Sequence, residues 1–474
     1  MGPSSQPDRA ARERITDGHR GPEMAYSPAP PAWLFYVLFA ATVACILLLI
    51  VKAISHLART GSTGGAQWGG AKVERKLAAP QDPRKRANRI TAGRGMHTKK
   101  IVAAQPNISA TVFGVPGSSK TTGLVLPNAA EWQGPLVVTT TKAADLDIIY
   151  ARPRRLGPVW VIAPAGIPGR ATQKWSPVDY CTDAKAADRM ASWMAEASSS
   201  GDDKRAAPWI DQAKSDLKGV LLASNLSGGG ARVYADEEVR ETCAGTDFTV
   251  DDLLDENGTV CLIASEADAE RLAPLLTSII ASIIHGAEVR YNATGKPLDP
   301  SLGVLVDEAG NMLRYPRLPN ILTTGRGMGI DILTVWHDLS QLRERLGTQK
   351  ANTVLSASGL RILLPGCGDL ETLRYFSGLY GRTEVMKVSH GRSRGEYSTN
   401  TSATETDLAP VHSLQQLPDY IAIAQYSNQA PIKVRMRLTF RDKDLKRLLA
   451  APVPLAATAG RAGPKATEQG EPHA

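Results

Sequence analysis

Seven short apolar runs recur along the middle of the chain, separated by stretches of helical periodicity. They are Ala110–Val115, Gly134–Thr141, Gly157–Pro164, Gly258–Ser265, Leu302–Ala309, Ile330–Trp336 and Gly359–Gly366. Most are unbroken rather than alternating, as in strands covered on both faces of a parallel sheet. Helical patterns such as Ala269–Arg290 lie between them. Strand and helix in alternation predict an α/β fold around a doubly wound parallel sheet. From 185 to 245 the pattern turns Ala-rich, charged and helical, which predicts a small all-helical insertion. It would split the sheet domain into 101–184 and 246–450.

One run is too long for a strand. Ala32–Val51 carries no charge and has about the length needed to cross a bilayer, so 32–54 reads as a transmembrane helix. A signal peptide is the competing reading, but the run begins late and no small-residue cleavage site precedes the polar stretch that follows. Residues 1–31 balance four Arg against four Asp/Glu, whereas Lys52–Lys100 sets many Lys/Arg against Glu74 and Asp82. That bias puts the C-terminal side in the cytoplasm, with a single pass through the cell membrane. The flanking segments read as a disordered N-terminus (1–31), a basic juxtamembrane linker (55–100) and a disordered tail (451–474), with a polar loop over 389–409.

Composition changes little in this picture. Of 474 residues, 43% are hydrophobic and 22% charged, ordinary for a globular protein and unlike a fibrous or wholly disordered chain. A net charge of +8 suits contact with a polyanion or anionic lipid, and equally a soluble basic surface. Five scattered cysteines without C-x-x-C spacing point to reduced thiols rather than a disulfide framework or zinc site.

The chemistry concentrates after the first run, in "TVFGVPGSSKTTGLVLPN", Thr111–Asn128. A phosphate-binding loop has the pattern G-x-x-x-x-G-K-[ST], in which backbone N–H groups ring the phosphates, Lys reaches the β/γ oxygens and the hydroxyl holds Mg²⁺. Gly114, Lys120 and Thr121 fit, Gly117 adds a flexible point, and Ser119 stands where the last glycine belongs. Gly114, Gly117, Ser118, Ser119, Lys120, Thr121 and Thr122 are the expected nucleotide-binding residues. A second run ends in Asp307-Glu308 within "LGVLVDEAGNM". Asp307 would complete the Mg²⁺ shell with Thr121, and Glu308 would polarise the attacking water. The expectation is an ATP- and Mg²⁺-dependent P-loop NTPase of the additional-strand type. His337, just past the end of a strand, is a candidate sensor of the γ-phosphate. Arg326, read as lying in a glycine-flanked turn before that strand, is a candidate arginine finger.

Beyond the loop, the chain resembles the TraG/TraD-type coupling proteins of type IV secretion, over roughly Val112–Leu449. "GSSKTTGLVLPNAAEWQGPLVVTTTK", "KWSPVD", "APWIDQAKSDL", "LVDEAGNM", "LSQLRERLG" and "DLETLRYFSGLYGRTEV" carry the likeness. It departs from the family at Ser119, at His337 where a glutamine is usual, and in having one anchor rather than two. The resemblance implies a RecA-like, hexameric membrane ATPase with ATP at subunit interfaces. Its implied partners are single-stranded DNA with an attached relaxase and type IV secretion channel proteins. A HerA/FtsK-type double-stranded DNA translocase, a protein-exporting secretion ATPase and a weakly catalytic docking scaffold are the alternatives.

Overall fold

The computed structural model describes residues 32–60, 65–86, 88–152, 156–198, 207–393 and 396–450. The disorder expected at 1–31 and 451–474 lies outside these residues. The chain divides into two units, 1–63 and 64–474.

In the first unit, Ala32–Thr60 is one helix whose apolar side chains, among them Phe39, Leu48 and Val51, are exposed. Its apolar stretch is Tyr36–Lys52; in the second unit, helix Glu266–Thr294 is apolar and long enough to cross a membrane, but its most apolar stretch is mostly buried in the domain. It is a core helix, started by the Ser265 hydroxyl on the Asp268 N–H and ended by Gly295 in the left-handed region.

Fourteen strands lie among the described residues: β1 (Ala78–Ala79), β2 (Thr91–Gly95), β3 (Ile101–Ala103), β4 (Ala110–Phe113), β5 (Leu136–Thr140), β6 (Val159–Ile162), β7 (Thr259–Ile263), β8 (Leu302–Val306), β9 (Ile330–Trp336), β10 (Leu360–Leu363), β11 (Arg382–Ser393), β12 (Glu396–Asp407), β13 (Ile421–Tyr426) and β14 (Ile432–Arg435). Twelve form one sheet in the order β1-β3-β2-β14-β13-β10-β4-β9-β8-β5-β7-β6. From β10 to β6 every neighbouring pair is parallel. These seven are the seven apolar runs.

Alternate residues of one strand feed opposite cores. Val304 and Val306 pack into one hydrophobic cluster and Leu305 into the other, as Ile332 and Leu333 do on β9. A sheet buried on both sides needs apolar residues at every position, which is why those runs do not alternate.

Two expectations need correction. The stretch assigned to a linker, 55–100, supplies helix Ala71–Leu77 and β2, which joins the sheet antiparallel to β14. The loop expected over 389–409 is instead part of a hairpin, β11 on β12, in register from Arg382 opposite Asp407 to Ser393 opposite Glu396. "STNTSATETD" has no apolar alternation to betray a strand, yet its threonines suit extended backbone.

Helices fill the interval between β6 and β7: Ala184–Ala197, Ala207–Leu226, Glu237–Thr242 and Val250–Asp255. Asp183 caps the first by accepting from the N–H groups of Lys185 and Ala186, and a Thr249/Asp252 capping box starts the last.

Candidate functional site

The glycine-rich loop leaves the end of β4 and is tied at once to the neighbouring strand, since the Gly114 N–H donates to the Trp336 carbonyl at 2.9 Å. A side chain on Gly114 would meet Leu364 Cδ1 at 2.6 Å and Ser118 Oγ at 2.8 Å, so the chain needs glycine there. Further on, Gly117 (φ 84°) and Ser119 (φ 62°) both adopt the left-handed conformation. Position 119 therefore has the backbone that glycine accepts freely and serine accepts under strain. After Lys120 the helix opens with a widened π turn, Thr121–Val125, before continuing as Leu126–Glu131. Pro127 has no N–H to offer Gly123 and its ring crowds the preceding turn, which accounts for the widening.

β8 delivers the carboxylates to the same edge. It is separated from β4 by one strand, β9, the order of an additional-strand P-loop NTPase. The Thr121 hydroxyl donates to Asp307 Oδ2, and the Thr139 hydroxyl of β5 donates to the Asp307 carbonyl at 2.9 Å. Lys120 Nζ lies 2.7 Å from Glu308 Oε1, and His337 Nε2 lies 3.8 Å from Glu308 Oε2. Asn311 Nδ2 also donates to Glu308 Oε2, at 3.3 Å. Glu308 itself is left-handed at φ 56°, a second strained non-glycine residue in the site. The His337 N–H donates to Gln341 Oε1 at 3.0 Å, and the Gln341 amide lies against the backbone of Gly310.

The two carboxylates ionise apart. Burial raises Asp307 to about 6, against the pull of the Thr121 hydroxyl and the Lys120 ammonium. Glu308 is held down at about 2 by His337, with Lys120 adding to the effect and burial opposing it. Three buried polar atoms, Ser118 Oγ, Asp307 Oδ1 and His337 Nε2, have no hydrogen-bond partner among the described residues, and Lys120 Nζ meets Glu308 solely as an ion pair. Unsatisfied donors and acceptors are a minority in a folded interior, and these lie together around one loop. A hydroxyl, an ammonium, a half-satisfied carboxylate and a turn of backbone N–H groups form a donor set that fits a Mg²⁺-bound nucleoside polyphosphate.

Ten of the eleven residues expected from the sequence meet at this edge; Arg326 does not. It occupies the last turn of helix Leu318–Met328, which ends at Gly329 (φ 77°), rather than a free turn. Exposed, it lines a cavity of about 400 Å³ together with Asn107, Ser109, Thr323, Ser356 and Tyr426. Ser109 precedes β4, so this cavity opens at the opposite edge of the sheet from the loop of the same chain. Thr139 and Asn311 escaped the sequence reading. Asn311, three residues beyond Glu308 at the start of a helix, is the one that spacing alone could have found.

This fold and site define a P-loop NTPase. A sequence model of the family described as Type IV secretory system Conjugative DNA transfer matches residues 82–230 and 226–461, and the chain belongs to that family. It is 24% identical over 228 residues to Protein VirD4 of Rhizobium rhizogenes, covering 48% of this chain and 34% of the relative. To the conjugal transfer protein TraG of Agrobacterium fabrum (strain C58 / ATCC 33970) it is 26% identical over 207 residues, 43% of this chain and 31% of the relative. These matches span about a third of the relatives' length. Among solved structures, the plasmid coupling protein TrwB in complex with ADP and Mg²⁺ aligns at a TM-score of 0.61 with 16% identity, covering 80% of this chain and 94% of that one. An unbound form of TrwB aligns at 0.60 with 14% identity, covering 80% and 93%.

Proposed function

We propose that the chain is a membrane-anchored motor ATPase that couples ATP hydrolysis to transfer of single-stranded DNA, with an attached relaxase, through a type IV secretion channel. The observation that carries this reading is the convergence of Lys120, Thr121, Asp307 and Glu308 on one sheet edge with buried polar atoms left unpartnered. Membership of the conjugative DNA-transfer family supplies the substrate class.

The loop N–H groups from Gly117 to Thr122 and the Lys120 ammonium would hold the phosphates, and Thr121 and Asp307 would hold Mg²⁺. When bound, that ion would withdraw charge from the terminal phosphate as it is transferred. Lys120 now neutralises Glu308 at 2.7 Å. Turning the ammonium toward phosphate oxygens would release that carboxylate, make it more basic, and let it take a proton from the attacking water. His337, beside Glu308, would hold that carboxylate or the water in place.

Arg326 is exposed at the far edge of the sheet, so as an arginine finger it would act on the nucleotide of an adjacent subunit. That fits a homohexamer with composite sites. The helix Ala32–Thr60, with outward apolar side chains, is suited to anchor the chain in the inner membrane at 32–54. Residues 71–184, with β2 in the sheet, and 246–450 then form the motor domain and 185–245 its helical insertion.

The test is ATP turnover by the detergent-solubilised full chain with and without DNA. Stimulation by single strands is expected. Preference for duplex would indicate a segregation-type translocase, and absence of any turnover would indicate a docking scaffold.

A further inference from the structure

We propose that Phe440, with Arg441 and Tyr420, is the platform on which the base of the bound nucleotide stacks; this rests on the ATPase reading above. The segment carrying these residues is pinned to the phosphate loop. The Thr439 N–H donates to the Thr122 carbonyl at 3.0 Å. Met436 packs closely on Gly123, where an added Cβ would lie 2.6 Å from Met436 Cε. The Met436 N–H in turn donates to the Tyr420 carbonyl at 2.9 Å. Residue 437 between them is buried and bidentate to Glu131, so the segment has little freedom to swing away.

The direction is the one a nucleoside needs. Lys120, Asp307 and Glu308 mark the terminal-phosphate end of the site. In the widened turn each next residue rotates by somewhat less than the α-helical step of about 100°, so Thr122 turns to the side of the carboxylates and Gly123 away from them. Beside them the chain presents flat groups to solvent. Phe440 is 50% exposed, and the Arg441 guanidinium lies 5.0 Å over the Tyr420 ring and 5.6 Å from the Phe440 ring. Arg441 has no carboxylate partner among the described residues. An exposed aromatic and a guanidinium already arranged for stacking are a surface for a π-system. Stacking reads the face of a base rather than its edge, so this platform favours purine over pyrimidine nucleotides by overlap, without a hydrogen-bond code.

Equilibrium binding of ATP and of inorganic tripolyphosphate is measured on the full chain in detergent, for wild type, Phe440→Ala, Phe440→Trp and Lys120→Ala. Phe440→Ala is expected to weaken ATP about tenfold, Phe440→Trp to keep it within about twofold, and neither to change tripolyphosphate binding. Lys120→Ala should lose both ligands. Unchanged ATP affinity in Phe440→Ala, with Lys120→Ala still defective, would overturn the platform and leave the nucleotide reading standing. Equal losses of ATP and tripolyphosphate in Phe440→Ala would also overturn it, since the effect would then be on the loop. Failure of the wild type to bind either ligand would remove the nucleotide reading itself, and the platform with it.

Discussion

The helix that follows the phosphate loop has a buried charge cluster at each end, and the two are built on opposite plans. At its C-terminal end Glu131 accepts from Arg437 through both oxygens, at 2.6 and 2.8 Å, and from Arg86 as well. Arg437 continues to Asp442, Arg86 donates to the carbonyls of Pro80 and Gln81, and Arg94 closes the set onto Asp442 and Asp444. None of these residues has an unpartnered buried side-chain atom. At the N-terminal end, Ser118, Asp307 and His337 are left with unmatched atoms, and Ser119 and Glu308 hold strained backbone. Burial is similar at both ends. The difference is saturation: the satisfied cluster joins three distant segments, and the unsatisfied one is shaped for a ligand.

The comparison breaks most sharply at Lys120. Lys120→Ala is expected to abolish nucleotide binding and lower ATP turnover by about 10³-fold or more, with little change in the melting temperature. Glu308→Gln should stop hydrolysis and keep ATP bound. Wild-type turnover in both variants would show that the unsatisfied cluster is not the catalytic one. Glu131→Gln tests the other end. Two guanidinium groups would stay buried without their shared carboxylate, a loss of about 3–5 kcal/mol in folding stability. Chemical denaturation reads it directly, and a loss under 1 kcal/mol would mean that the network is incidental.

Asp331 provides a third kind of buried carboxylate, with neither a cation nor a ligand site. Ser301 donates to it at 2.8 Å, and burial raises it to about 7 from an ordinary 3.8. With the folded value above the unfolded one, its contribution is fully present below about pH 4 and is lost as pH rises through about 7. Asp331→Asn should therefore stabilise the protein at pH 8, on the order of 2–4 kcal/mol, and flatten the stability profile between pH 4 and 7. An unaltered profile would show that this carboxylate finds charge compensation.

Much of the unsatisfied cluster was legible in the sequence, and none of the satisfied one was. Gly114, Asp307 and Glu308 follow strand ends, Lys120 and Thr121 open the helix after the loop, and both strands announce themselves by an unbroken apolar run. Glu131 and Arg437 are 306 residues apart, and no local pattern marks their pairing. The antiparallel end of the sheet was hidden for the same reason: β2, "TAGRG", becomes a strand only because β14 comes to lie beside it. Arg326 misled through its neighbours. Gly325 and Gly327 suggest a turn, yet Gly325 is buried in a helix packed closely on Ile330.

The smallest expected effect bears on how much strain the site stores. Ser119 has φ 62°, where its Cβ costs about 1–2 kcal/mol that glycine avoids. Against that, glycine makes the unfolded chain more flexible, which removes about 0.4–1 kcal/mol of the gain. Ser119→Gly should therefore stabilise the nucleotide-free protein by less than about 1 kcal/mol. Ser119→Ala, which keeps the Cβ, should stabilise it not at all, and paired denaturation curves of the two variants isolate the backbone contribution from the hydroxyl. Because the loop N–H groups are already aimed by the existing conformation, ATP affinity should change by no more than a few-fold in either variant. A glycine variant less stable than the alanine one would show that position 119 is relaxed as serine, and that the strain in this cluster resides at Glu308 alone.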